Sequence, residues 1–278
     1  MEIAVSSVHR FFPDNLVLPT MPEVATKLLR TFGDENANLG TLVDLIGKDA
    51  ALSAKVLRLA NSARYSASKN VSTLRDAAAV LGTTTLRNLA MAACVTGAFP
   101  STQGLDRKRF WRHGIASAHY AVLLARALNL DSETAYLAGL MLRTGQLLMA
   151  MQAAAEVVAV ETRVDEPGSR FGWEAPSFEC AHSDVTAELA RRWKFPAALV
   201  HAFESAADPM EAQPFSALGA ALHMAEVLAD AMDLEQPPGA ALQAAVPELV
   251  THLRLDLQWL DEKQLSPDDL AQEVEMMG

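Results

Sequence analysis

Asp131-Ser132-Glu133-Thr134-Ala135-Tyr136-Leu137-Ala138-Gly139-Leu140-Met141-Leu142-Arg143-Thr144-Gly145-Gln146-Leu147-Leu148-Met149-Ala150-Met151 is the stretch on which the fold turns. Asp131 has the short, oxygen-bearing side chain of a helix N-cap, and no proline interrupts the run from Ser132 to Met151. Leu137, Leu140, Leu142, Leu147 and Leu148 spread around most of the circumference, where a surface helix would carry a single apolar stripe. The spacing predicts one helix from Ser132 to about Met151, hydrophobic on nearly every side and therefore central. Such a helix needs other elements packed all around it, and the composition says what they are. The 278 residues include 49 Ala but only 3 Ile, an excess of the best helix former over a β-branched strand former. An all-α fold is expected, and a β-barrel or sandwich is excluded.

Outward from this centre the chain is punctuated by caps and breaks. On the N-terminal side, Asp106 caps a long amphipathic helix holding Phe110, Trp111, Ile115, Val122, Leu123 and Leu128. On the C-terminal side, a helix is expected from Ala153 to about Thr162, a loop from Asp165 to Pro176, and helices over 177–193, 196–205 and 214–232. Pro237-Pro238-Gly239 then breaks the chain. In the first hundred residues, Thr20-Met21-Pro22-Glu23 opens a helix that Gly33 should stop, and a short one covers 39–47. Asp49 caps 50–60, and a helix over 73–81 ends at Gly82 before another runs towards Phe99. Pro100 to Leu105 has linker composition, so three parts are expected: 1–100, 101–236 and an acidic extension over 237–278.

Charge is unevenly spread. The net charge is −11, yet residues 203–278 carry 15 acids against Arg254 and Lys263 alone, leaving 19 acids and 21 bases before them. Wholesale coating of nucleic acid is unlike such a chain, because phosphate binding needs a positive face. The run Arg107-Lys108-Arg109-Arg112 reads as the first turn of a solvated helix. No stretch approaches the roughly 20 uninterrupted apolar residues that cross a bilayer, and Met1 to Arg10 lacks the plan of a secretory signal, so a cytoplasmic protein without membrane contact is expected. Cys94 and Cys180 stand far apart and read as buried free thiols. Glycine-rich phosphate loops, HExxH and GxSxG are all absent, which removes the common kinase, dehydrogenase, zinc-protease and α/β-hydrolase options, and no cofactor is expected.

An ordered set of short motifs runs through the chain: Leu18-Pro19-x-Met21-Pro22, then Leu57-Arg58-Leu59-Ala60-Asn61-Ser62-Ala63-x-Tyr65, then Leu81-Gly82 before a helix, then Phe110-Trp111-Arg112-His113. In this succession the chain resembles the HDOD domain of bacterial signalling proteins, over roughly Leu16 to Met232. The resemblance implies an all-helical fold with an N-terminal helical subdomain and a C-terminal bundle similar to the HD phosphohydrolases, including the HD-GYP enzymes that hydrolyse cyclic di-GMP. It also implies a regulatory role.

Carried over residue by residue, the resemblance is as informative where it fails. Metal-dependent relatives read approximately Ala-Gly-Leu-Leu-His-Asp-Ile-Gly-Lys where this chain has Ala138-Gly139-Leu140-Met141-Leu142-Arg143-Thr144-Gly145-Gln146. Leucine has no lone pair, and a permanently protonated guanidinium repels a divalent cation by several kcal/mol at about 4 Å. His113 and His182 match histidines of the superfamily, while Glu226 in His223-Met224-Ala225-Glu226 stands where relatives carry Asp. No metal and no catalysis are therefore expected. Arg143 within apolar surroundings needs a partner, either a carboxylate such as Asp184 or Glu226 or a bound anion such as a nucleotide phosphate. The candidate ligand-binding residues are Arg143, His113, His182, Arg112, Gln146 and Glu226. The expected function is a non-catalytic signalling module that binds a protein partner or small ligand. The alternatives are a nucleotide or anion sensor and a metal-dependent phosphohydrolase.

Overall fold

The computed structural model describes residues 7–14, 16, 21, 23–30, 39–61, 71–99 and 105–277. Gly33, the Ser62–Tyr65 motif, Pro100–Gly104 and most of the Leu18–Pro22 motif lie outside them. Among the described residues there is no strand, and the protein is all-α. The chain divides into two compact units, one comprising 1–18 with 101–267 and the other 19–100 with 268–278.

The smaller unit contains α1 (Glu23–Leu29), α2 (Leu39–Gly47), α3 (Ala50–Ala60), α4 (Leu74–Ala98) and the last helix of the chain. Asp49 accepts from the Ala51 and Leu52 amides at the start of α3, and Thr73 with Asp76 closes a reciprocal capping box on α4. Gly82 sits inside α4 at φ +76°, ψ 169°, a conformation that an L side chain resists, so the ladder kinks there and resumes. By length and composition α4 alone among the described helices could cross a bilayer, and 61% of its apolar window is buried within the protein.

The larger unit holds α5 (Arg107–Ala127), α6 (Ser132–Met141), α7 (Thr144–Gln152), α8 (Ala154–Glu161), α9 (Ser169–Phe178), α10 (His182–Arg192), α11 (Ala197–Ser205) and α12 (Ala217–Asp233), followed by α13 (Pro238–Ala245), α14 (Pro247–Leu253) and α15 (Leu257–Asp261). Asp106 and Asp131 cap α5 and α6 through the Arg109 and Thr134 amides. Helices α5, α6 and α12 pack on one another, α7 on α10, and α11 on α12. Trp111, Ile115, Leu124, Leu137, Leu148 and Leu228 are fully buried in this core, each stabilising the fold by roughly 1.5–3 kcal/mol.

The folded chain corrects three expectations. The single helix over 132–151 is two, broken at Leu142 and Arg143. The break is held by side chains: Thr144 Oγ1 donates to Met141 O at 2.8 Å, and Thr186 Oγ1, reaching across from α10, accepts from Gly145 N at 2.8 Å. The same hydroxyl lies 2.8 Å from the Leu142 carbonyl. A Cβ on Gly145 would overlap the His182 carbonyl and stand 2.7 Å from Thr186 N, so only glycine allows this approach. The expected loop over 165–176 is largely helix α9, and the expected helix over 177–193 starts only at His182. The inward face of α9 carries Arg170 and Glu174 beside Phe171 and Phe178, so polar residues hid its apolar period. Beyond Pro237 the chain continues in the helices α13, α14 and α15.

Candidate functional site

Helix α12 is apolar along most of its length, yet it carries Glu226, Asp230 and Asp233 at i, i+4 and i+7, one acidic stripe on one face. Opposite it, α5 presents His113, and the turn between α6 and α7 presents Arg143. These groups meet in the interior. Arg143 Nε donates to Glu226 Oε1 at 2.6 Å and its Nη2 to Asp230 Oδ1 at 2.8 Å. His113 Nε2 is 3.0 Å from the same Asp230 oxygen, its Nδ1 is 3.3 Å from Ser117 Oγ one turn along α5, and Gly168 N donates to Asp230 Oδ2 at 3.1 Å.

A second ion pair lies beside the first. Arg170 on α9 and Gln146 on α7 both donate to Glu161 Oε1. Arg170 Nε, buried, has no hydrogen-bond partner among the described residues and lies 3.8 Å from Glu226 Oε1. A cavity of about 210 Å³ is lined by His113, Arg143, Gln146, Glu161, Arg170 and Asp230, with Arg109 and Asp233 among its further walls. Arg112 Nη2 donates to Asp233 Oδ1 at 2.9 Å.

The electrostatics are set by this packing. Burial alone would push Glu226 and Asp230 upward, but the Arg143 guanidinium and His113 beside them hold both carboxyls below the ordinary range. Glu161 is likewise held low against its burial, chiefly by Arg170. Arg170 is raised by Glu161 in spite of its burial. The network is thus a set of buried charges each answered by an opposite one.

Of the six candidate residues, the structure brings His113, Arg143 and Glu226 together, links Gln146 to them through Glu161, and pairs Arg112 with Asp233 on α12. His182 takes a different partner: its backbone N–H and Nδ1 are 2.8 and 2.7 Å from Glu174 Oε2. Phe171 stacks between the rings of His182 and His223 at 4.9 and 5.0 Å. Asp184, named beside Glu226 as a partner for Arg143, instead accepts from Ala181 N at 2.8 Å. Sequence inspection missed Asp230, Glu161 and Arg170. For Asp230 a signal existed, since it stands one helical turn after Glu226 on a helix otherwise nearly free of charge.

His113, Glu226 and Asp230 offer one imidazole and two carboxylates with ligand atoms within 4.8 Å of one another, a donor set of the composition that binds a divalent metal. In this arrangement they face a guanidinium. Both carboxylates are hydrogen-bonded to Arg143, and a dication about 4 Å from that guanidinium would meet roughly 8 kcal/mol of repulsion, twice the figure for two unit charges at an effective dielectric near 20.

A family profile described as the HDOD domain matches residues 18–209, which ends before α12 and its acidic stripe. Among solved structures, a candidate phosphohydrolase from Shewanella amazonensis SB2B is 28% identical with a TM-score of 0.75, over 99% of this chain and 96% of its own. A candidate signal transduction protein from Marinobacter aquaeolei VT8 is 25% identical with a TM-score of 0.77, over 99% of this chain and 63% of that one. An uncharacterized protein of Treponema pallidum is 24% identical over 187 residues, 66% of this chain but only 36% of the Treponema protein. The chain therefore spans about a third of that relative's length.

Proposed function

The chain belongs to the HDOD family, and we propose that within it this protein is a non-catalytic regulatory module of cytoplasmic signal transduction, acting by binding a protein partner or small ligand. The observation that carries this reading is the double hydrogen bond of Arg143 to Glu226 and Asp230, which places a guanidinium on one oxygen of each carboxylate, where a hydrolytic metal centre would need a cation of its own. The name of the Marinobacter neighbour is in keeping with signalling. The name of the Shewanella neighbour would suggest phosphoester hydrolysis, and against carrying that activity over stand Leu142 and Arg143. The test is elemental analysis of protein purified without chelators, together with turnover of cyclic dinucleotides and nucleotide monoesters in the presence of manganese or iron. The expected result is substoichiometric metal and no turnover above the blank. Stoichiometric metal with hydrolysis would overturn it.

A second reading, a nucleotide or anion sensor, draws on Arg170, which lines the cavity of about 210 Å³ and whose Nε has no hydrogen-bond partner among the described residues. Thermal-shift screening of nucleotides against wild type and Arg170→Gln tests it. Stabilisation lost in the variant supports it, and no stabilisation of the wild type removes it.

A further inference from the structure

A second cavity, larger and more open than the first and sharing no lining residue with it, runs along α10 and α11 and the 206–213 segment. Its volume is about 450 Å³, within the range of pockets that hold ligands or partner side chains. More of its wall is apolar than polar, with Val8, Ala207 and Ala212 contributing. Around that floor stand Asp184, Glu188, Glu204, Asp208 and Glu211 against the single arginine Arg191.

The internal pairing leaves this groove negative. Arg191 is shared between Glu188, at 2.6 Å, and Glu204, and Arg192 also binds Glu188 at 2.8 Å. Asp184 is turned to the Ala181 amide, and burial, with Glu174 and Glu204 adding charge of the same sign, pushes its carboxyl above the usual carboxylate range. Asp208 and Glu211 are exposed and have no cationic partner among the described residues. Met210, between Asp208 and Glu211 but not itself lining the cavity, is exposed at 39%.

We propose that this groove is the docking site for a cationic, amphipathic segment of a partner protein. The two halves of the surface ask for different things from one ligand. The carboxylate rim favours Lys or Arg heads, which raise the rate and specificity of encounter, while the apolar floor gives nothing to an inorganic cation and suits the aliphatic stems and leucine-like side chains of a peptide. The proposal rests on the regulatory reading above and names the surface and the partner chemistry for it.

The experiment uses the full chain and a fluorescein-labelled helical peptide with leucines on one face and lysines on the other, followed by polarisation at low and physiological salt. A second peptide with glutamate in place of lysine is the charge control. The expected result is saturable binding of the lysine peptide only, weakened roughly tenfold or more by Asp208→Lys with Glu211→Lys, and changed less than about twofold by Glu248→Lys with Glu262→Lys, which alter net charge equally elsewhere. Equal weakening by both pairs, or no binding to wild type, would overturn the proposal. Should the lysine pair lower the melting temperature, Asp208→Asn with Glu211→Gln replaces it under the same criterion. Metal content and turnover are measured on the same preparation, so a groove that fails to bind is told apart from a protein that turns out to be an enzyme.

Discussion

Arg143 donates through Nε to Glu226 Oε1 at 2.6 Å across 83 positions of the chain, tying the turn between α6 and α7 to the middle of α12. Both residues are buried, and Asp230 shares the same guanidinium at 2.8 Å. Removing one member of such a set strands the others in a low-dielectric interior.

Arg143→Met is therefore expected to cost about 3–5 kcal/mol, because two carboxylates lose their counter-charge while remaining buried. Adding Glu226→Gln and Asp230→Asn to it should recover much of that loss, since uncharged amides need no cation. Urea midpoints for the single and triple variants check this. A loss below about 1 kcal/mol in the single variant would mean the ion pair does not hold the fold.

Acid should destabilise the larger unit. Glu226, Asp230 and Glu161 have carboxyls held below their ordinary values in the folded protein, so their contribution is complete above the unfolded values near 4 and is lost as pH falls through the folded ones. His223, lowered by burial, acts with the same sign at higher pH: its contribution is complete above its ordinary value and falls away as the medium acidifies. Urea unfolding from pH 7 down to pH 3 should show a steady fall, and Asp230→Asn should flatten its lowest part.

Two glycines should respond in opposite directions to alanine. At Gly145 the new Cβ would run into the His182 carbonyl and the Thr186 amide, both backbone, so the contact between α7 and α10 must open and stability falls by roughly 1–3 kcal/mol. At Gly172, inside α9, nothing lies within 4 Å of the new atom, and the gain in helix propensity should raise stability by about 0.5–1 kcal/mol. Paired thermal melts of the two variants read both signs at once.

Cys94 and Cys180 should be inert in the native protein. Burial pushes each thiol up to about 12, so almost no thiolate is present at neutral pH, and neither sulfur is exposed. A thiol reagent should label both promptly in urea and hardly at all without it. Rapid native labelling of either would contradict the burial.

Much of this architecture was open to inspection of the chain alone. Asp49, Asp106 and Asp131 cap the helices they were expected to cap, because a cap is an interaction between near neighbours in the chain, whereas Thr73, expected inside its helix, proves to be the cap of α4. Gly82 marks the kink in α4 for an equally local reason. The break at Leu142 and Arg143 was hidden, since Thr186 from another helix supplies the hydrogen bonds that make it tolerable. Helix α9 was hidden because Arg170 and Glu174, which composition places outside, face inward to partners on α8 and α10.

From its own residues, the chain determined that it is helical, where most helices begin, and that Leu142 and Arg143 offer no electron-pair donor to a metal. Those properties are set by short-range propensity and by the identity of single side chains. That Arg143 finds Glu226 and Asp230, that Glu161 answers Arg170, and that five carboxylates gather along one groove were decided only by the folded chain. Buried charges select partners by distance and desolvation in space, and sequence separation carries no information about either.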